Sequence, residues 1–209
     1  MTVDMKKTVI GCTGGIGSGK SAIVGAFAAL GIPAYDCDSA AKALYRTDRD
    51  LCRAVALLLG QQVLQSDVTL STREMAARVF SDHGLLEKVE AIVHPAVGED
   101  FRKWAARQKS DIVIMESAIL LEKPFFDTFA DCTIAVSAPE EVRIARVMVR
   151  DGVTREQVEA RLANQWSDSL REQKADIVIV TDDRTPVLPR ILELIETLKQ
   201  TTYNHGNRS

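Results

Sequence analysis

Apolar residues in this chain gather into short unbroken runs, and the segments between them carry apolar positions at helical spacing. The runs are Thr8-Val9-Ile10-Gly11-Cys12, Ile32-Pro33-Ala34-Tyr35-Asp36, Asp111-Ile112-Val113-Ile114-Met115-Glu116, Cys132-Thr133-Ile134-Ala135-Val136-Ser137 and Ile177-Val178-Ile179-Val180-Thr181. Continuous rather than alternating apolar character suits strands covered on both faces, as in a parallel sheet. Ala22 to Leu30 reads as a buried helix closed by Gly31. Strands separated by helices predict an α/β fold: a three-layer, doubly wound core around a five-stranded parallel sheet. Its binding crevice is expected at the carboxyl ends of the strands.

Two stretches fall outside this alternation. Residues 40–110 read as helical throughout and are too long for a simple crossover. Residues 143–173 are Arg-rich and helical, with a helix start at Thr154 in Val153-Thr154-Arg155-Glu156. Both read as insertions over the crevice, one a substrate cap and the other a lid. The core then comprises about 1–39, 111–142 and 174–200, and the polar residues 201–209 read as a frayed tail. There are no internal repeats or low-complexity segments.

The connection after the first run is Gly14-Gly15-Ile16-Gly17-Ser18-Gly19-Lys20-Ser21, which fits the phosphate-binding pattern G-x-x-x-x-G-K-[ST]. The pattern requires a strand before it and a helix after it, and both are predicted here. Glycines reach backbone angles barred to other residues and let the chain pass close to a ligand. Successive N–H groups, backed by a helix N-terminus, then form a cradle for anionic oxygens. Lys20 is placed to reach the β- and γ-phosphates of a nucleotide, and the Ser21 hydroxyl to ligate Mg²⁺. A glycine-rich turn that binds nothing is the alternative, and the coincidence of strand, loop, Lys-Ser and helix disfavours it.

Composition narrows the partners. The chain has 209 residues, 46% of them hydrophobic, enough for a well-buried core. Its net charge of −3 gives no electrostatic reason to expect nucleic acid or an anionic membrane surface. An anionic substrate must therefore be held by a local basic cluster. No apolar run approaches the roughly 20 residues of a membrane span, and the polar segment 1–7 has no signal-peptide character. Cys12, Cys37, Cys52 and Cys132 are scattered, without a C-x-x-C pair, and read as small core residues in a reducing compartment. The expectation is a cytoplasmic protein, a monomer or a small homo-oligomer.

Three further clusters carry chemistry. Asp36-Cys37-Asp38 follows the second strand, where a carboxylate could take a proton from an attacking hydroxyl or hold Mg²⁺ through water. The structural alternative is Asp38 as the N-cap of a following helix, and the two readings are compatible. Arg143, Arg146 and Arg150 share a helical face at i, i+3 and i+7, with Arg155 beyond them. Guanidinium groups on one face repel unless anions come to them, and triphosphate oxygens are such anions. The alternative is a solvated face balanced by Glu140, Glu141 and Asp151. In Ile92-Val93-His94-Pro95, the proline biases His94 out of helical geometry and tends to end a helix there. A lone histidine of this kind is more often structural than functional.

Together these residues resemble the dephospho-CoA kinase family. Thr13-Gly14-Gly15-Ile16-Gly17-Ser18-Gly19-Lys20-Ser21 resembles its T-G-G-I-G-S-G-K-S, and Asp36-Cys37-Asp38 with Ala41-Lys42 its D-A-D-x-x-A segment. His94-Pro95 resembles its H-P, Ala118-Ile119-Leu120-Leu121-Glu122 its P-L-L-x-E, and Ala175-Asp176 the A-D before its last strand. The likeness spans about residues 8–198, and the order and spacing of the motifs are more specific than any one of them. It implies a P-loop kinase core with a helical CoA-binding domain and a helical lid. It further implies ATP-dependent phosphorylation of the ribose 3′-hydroxyl of dephospho-CoA, with Mg²⁺.

By this resemblance Asp38 matches the catalytic base, Arg146 and Arg150 match lid positions at the phosphates, and His94, with Lys42, lies toward the acceptor. Two segments depart from the pattern. Glu116-Ser117-Ala118 stands where many members have a valine-proline pair, so that Glu116 replaces an Asp near the metal. Thr181-Asp182-Asp183 stands where many have Asn and Gly, in a region expected to touch adenine. The rival readings are a kinase for another small acceptor and a slow nucleotide-dependent switch. The chain has no N-K-x-D run of the GTPase kind, which disfavours the second.

Overall fold

The computed structural model describes residues 7–65, 67–79 and 82–206. In chain order the elements are β1 (Thr8–Thr13), α1 (Lys20–Ala29), β2 (Ala34–Asp36), α2 (Cys37–Thr47), α3 (Arg49–Leu59), a 3₁₀ turn (Gln61–Val63), α4 (Thr72–Val79) and α5 (His83–Ala106). There follow β3 (Ile112–Glu116), α6 (Pro124–Asp127), β4 (Cys132–Ser137), α7 (Glu140–Asp151), α8 (Arg155–Leu162), α9 (Asp168–Lys174), β5 (Ile177–Val180) and α10 (Leu188–Gly206). The chain divides into two compact units, one comprising the chain up to Ala34 and from Gln108 onward, the other Tyr35–Arg107.

The five-stranded sheet has the order β2-β3-β1-β4-β5. The registers pair Thr8 with Ile112 through Cys12 with Glu116, Ile10 with Cys132, and Ile134 with Ile177, all parallel. Burial on both faces explains the unbroken apolar runs: in β3, Ile112 and Ile114 are buried on one face and Val113 and Met115 on the other. The second run yields a strand shorter than expected. Ile32 and Pro33 precede it, and Pro33 has no N–H to give a ladder, although its carbonyl accepts from Ile114 N at 2.9 Å. Ile23, Val24 and Phe27 of α1 and Ile191, Leu194 and Ile195 of α10 close over Ile10, Cys12, Ile114, Ile134 and Ile179. Each such side chain, once buried, contributes about 1.5–3 kcal/mol of transfer free energy. This core anchors the two ends of the loop 14–19: β1 before it and α1 after it.

The expected frayed tail is in part helix. Between Pro189 and Gly206 the sequence offers no glycine or proline stop, and α10 continues to Gly206. Residues 207–209 lie outside the described residues.

The second unit is built of α2–α5, with one antiparallel bridge, Leu64 to Leu70, inside the stretch read as helical throughout. Its main helix corrects the sequence reading at His94-Pro95. The local rule has proline end the helix, yet α5 runs unbroken from His83 to Ala106 with Pro95 inside it. Proline in a helix interior forfeits one hydrogen bond and crowds the preceding turn, at about 3 kcal/mol. Val89, Val93, Val97, Phe101 and Ala105 form a buried stripe at four-residue spacing that runs past the proline on both sides. Continuous packing on that stripe outweighs the local cost, and the affected turn starts at Ala91 on the exposed face. Tyr35 packs edge-on to Phe101 at 5.4 Å and donates its hydroxyl to Asp100 Oδ2 at 2.7 Å.

Candidate active site

The loop between β1 and α1 is shaped by its glycines. Gly17 and Gly19 hold φ of 77° and 87°, in the left-handed region that favours glycine. A Cβ on Gly17 would lie 2.6 Å from the Arg143 carbonyl oxygen, and one on Gly14 would lie 2.6 Å from that of Val136. The loop is thus pressed against α7 and β4 with no room for side chains on its rear. Gly19 is the N-cap of α1 and supplies no side-chain cap to the first-turn N–H groups, of which that of Ala22 donates to the Gly19 carbonyl at 3.0 Å. Ser18 Oγ is buried and has no hydrogen-bond partner among the described residues. This arrangement fits an anion: glycine backbone, the positive end of the α1 dipole and Lys20 occur together in one short loop. Gly17→Ala is expected to distort the loop and weaken nucleotide binding by roughly 10-fold or more, since the new methyl meets backbone at a strained φ. Calorimetric titration with ATP checks this, and an unaltered affinity would contradict the cradle.

Lys20, at the start of α1, pairs with Glu116 at the end of β3, both side chains being largely buried. Cys12 faces Glu116 across the β1–β3 register. Burial pushes its thiol up to about 12, with Lys20 opposing and Glu116 adding to the shift, so it stays a neutral core group. Ser21 is exposed in the first turn of α1. Its hydroxyl, next in the chain to the lysine that Glu116 pairs with, offers the hard-oxygen chemistry Mg²⁺ takes beside phosphate. Among the described residues no group of three His, Cys, Asp or Glu side chains is placed to hold a metal by itself.

The arginine face divides. Arg143 is buried; its Nε donates to the Ile16 carbonyl at 2.9 Å and its Nη1 to Asp168 Oδ2 at 2.6 Å. The anion expected to relieve its charge is therefore Asp168 of the protein. Arg171, also buried, donates to Asp168 Oδ1 at 3.2 Å, Glu122 Oε1 at 2.8 Å and the Trp166 carbonyl at 2.7 Å. Two guanidiniums and two carboxylates thus neutralise each other beside the loop. Arg146 lies behind the loop. Nη1 donates to the Gly17 carbonyl at 3.1 Å and Thr181 Oγ1 at 2.9 Å, and Nη2 to the Thr181 carbonyl at 2.9 Å and Asp183 Oδ1 at 2.5 Å. All four of its terminal N–H groups have protein acceptors. Arg150 is exposed on the last turn of α7 and pairs with Asp151 at 2.7 Å. Arg155 bridges Glu141 and Glu159 on the surface. Thr154 starts α8 through a capping box with Gln157, as its sequence predicts.

Asp168, Arg171, Gln165 and Thr181 belong to this site, and sequence reasoning assigns none of them to the phosphate loop. Gln165 Oε1 accepts from Ile16 N at 2.9 Å, across 149 residues of chain. No local motif signals such a pairing.

In the second unit, Asp36 and not Asp38 caps α2. Its Oδ1 accepts from Asp38 N at 2.9 Å and Ser39 N at 3.0 Å. The helix begins at Cys37, earlier than a cap at Asp38 would allow, because the strand ends at a residue that can itself cap. Asp38 is left exposed in the first turn, with Lys42 one turn further along α2. His94 is half-buried in mid-α5.

Sheet order, loop and uncapped α1 together define a P-loop kinase, a fold shared with shikimate kinase from Acinetobacter baumannii at a TM-score of 0.50 and 13% identity, over 94% of this chain and 96% of that one. The particular family is equally clear: the chain belongs to the dephospho-CoA kinases, whose family model matches residues 8–186. The dephospho-CoA kinase of Bacteroides fragilis strain YCH46 is 38% identical over 192 residues, 91% of this chain and 93% of its own. A crystal structure of the Thermus thermophilus protein TT1252 has a TM-score of 0.77 and 31% identity, covering 93% of this chain and 97% of that one. Among the described residues no helix is long and apolar enough to cross a membrane.

Proposed function

We propose that this chain transfers the γ-phosphoryl group of ATP to the ribose 3′-hydroxyl of dephospho-CoA, giving coenzyme A and ADP, the last step of coenzyme A synthesis. The observation that carries the reading is the glycine-built cradle at the uncapped N-terminus of α1, in a chain of this family. Residues 14–21 hold the ATP phosphates through backbone N–H groups, and Lys20 leaves Glu116 to meet the β- and γ-oxygens. Mg²⁺, held by the Ser21 hydroxyl, neutralises charge on those oxygens when bound. Asp38 orients the attacking hydroxyl and takes its proton. Lys42 and His94 bind the acceptor, and Arg150, exposed on α7, reaches the phosphates from the lid. Closure of the lid excludes water, which would otherwise divert the transfer to hydrolysis. The protein works in the cytoplasm as a monomer or small homo-oligomer, without nucleic acid or membrane.

The test is ADP formation from ATP and Mg²⁺ with and without dephospho-CoA, followed by mass spectrometry of the product. Strong stimulation and a gain of one phosphate on the acceptor are expected. Bound ATP with neither stimulation nor product would remove the acceptor assignment and leave the nucleotide site standing.

A further inference from the structure

Three consecutive carbonyls of the phosphate loop are held from the rear by side chains far away in sequence. Arg143 Nε donates to Ile16 O at 2.9 Å, Arg146 Nη1 to Gly17 O at 3.1 Å, and Thr181 Oγ1 to Ser18 O at 2.6 Å. No described peptide bond is cis. In a planar trans peptide the C=O of one residue and the N–H of the next point in opposite directions. Fixing these three carbonyls therefore aims the N–H groups of Gly17, Ser18 and Gly19 the other way. Ser18 N spends its hydrogen on Gly15 O at 3.1 Å and closes the turn. Gly17 and Gly19, both left-handed and without side chains, have theirs on the side away from the three donors.

Thr181 is the hub of this arrangement. It is buried, at 8% exposure, just past the end of β5. A hydroxyl has one hydrogen and two acceptor lone pairs. Here the hydrogen goes to Ser18 O at 2.6 Å, and the oxygen accepts from Arg146 Nη1 at 2.9 Å. Its own N–H is anchored on Ser137 O at 2.8 Å, so the hydroxyl is referenced to the sheet. A Cβ on Gly19 would lie 2.9 Å from Thr181 Oγ1, which shows how closely the two segments meet.

We propose that Thr181 is a positioning residue for phosphoryl transfer: with Arg146 it sets the peptide planes of the loop so that its N–H groups are aimed before the nucleotide arrives. This deepens the kinase reading above and rests on it for the reaction, but not for phosphate binding. Donors fixed in advance avoid reorganisation when charge develops on the phosphoryl oxygens. The family resemblance assigns residues 181–183 to adenine; on this proposal Thr181 serves the phosphates.

The test compares Thr181→Val, which keeps the shape and removes the hydroxyl, with Thr181→Ser, which keeps the hydroxyl. The probes are inorganic tripolyphosphate, ATP and adenosine, titrated calorimetrically, with steady-state kinetics alongside. Thr181→Val is expected to weaken tripolyphosphate and ATP alike, by about 10-fold, the scale set by leaving a buried carbonyl unsatisfied. Adenosine affinity and the KM for dephospho-CoA should not move, and Thr181→Ser should stay within about 3-fold of the parent. Arg146→Met should weaken tripolyphosphate too, and its loss should combine with that of Thr181→Val to less than the product, because the two side chains act through one hydrogen-bonded unit.

Parental tripolyphosphate affinity in Thr181→Val would overturn the proposal. So would an equal loss for adenosine, or losses that multiply in the double variant. If Thr181→Val does not fold, Thr181→Ala, which places no methyl against the Ser18 carbonyl, is read by the same criteria. A parent protein that binds tripolyphosphate but does not phosphorylate dephospho-CoA would overturn the proposed function and leave this inference intact.

Discussion

Asp38→Asn is expected to lower kcat by roughly 10²–10⁴, the usual contribution of a positioned general base. Asparagine matches the carboxylate in shape but cannot accept the proton of the attacking hydroxyl. ATP affinity should hold within about 2-fold, since the phosphate cradle is formed by other residues. The structure supplies an internal control, because two carboxylates stand close together and perform different work. Asp36 accepts from Asp38 N and Ser39 N, and its loss should be felt in folding. Asp36→Ala is therefore expected to cost about 0.5–2 kcal/mol of stability through the lost cap, with turnover of the folded fraction little changed. Rapid-quench measurement of the transfer step, paired with thermal unfolding of both variants, separates the two. Near-normal turnover in Asp38→Asn would remove Asp38 from the role of base.

Lys20→Ala is expected to reduce turnover by roughly 10²–10³ and to weaken ATP binding as well, because it removes a cation aimed at the transferring phosphoryl. The structure predicts a second effect. Lys20 is the ion-pair partner of Glu116, and both side chains are largely buried, at 14% and 13% exposure. Deleting one member leaves a mostly buried carboxylate uncompensated, so the variant should also be less stable. Lys20→Ala with Glu116→Gln should recover much of that stability, since the glutamine carries no charge to strand. It should recover none of the turnover. If the double variant regains activity, the stranded Glu116 charge and not the missing cation caused the loss of turnover, and the role given to Lys20 in the transfer fails.

Where a function is written in contiguous residues, the chain is legible. The loop from Gly14 to Ser21 needs a strand, a glycine turn and a helix in immediate succession, and each has a local signature in composition and period. The strands β1, β3 and β4 declare themselves because burial on both faces demands unbroken apolar runs. Thr154 announces α8 through its capping box, which is a matter of four neighbouring residues. The same local reasoning misjudges Pro95, because the stripe from Val89 to Ala105 that keeps α5 intact gains its free energy from burial, which local sequence rules leave out. It also does not tell the arginines apart. Arg143, Arg146 and Arg150 look alike along a helix face, yet one is buried against Asp168, one grips the rear of the loop and one stands exposed beside Asp151.

The sequence by itself determined that this protein has a parallel α/β core, a phosphate-binding loop at the end of its first strand, and a likeness to dephospho-CoA kinases in the order of its motifs. Those features depend on neighbours in the chain and on period. Only the tertiary structure decided which side chains hold that loop in its working shape: Arg143, Arg146, Gln165 and Thr181 come from residues more than a hundred positions away. The physical reason is that a backbone carbonyl or N–H pairs with whichever donor or acceptor the fold delivers at about 3 Å, and sheet order and helix packing make that delivery, with no local pattern to mark it.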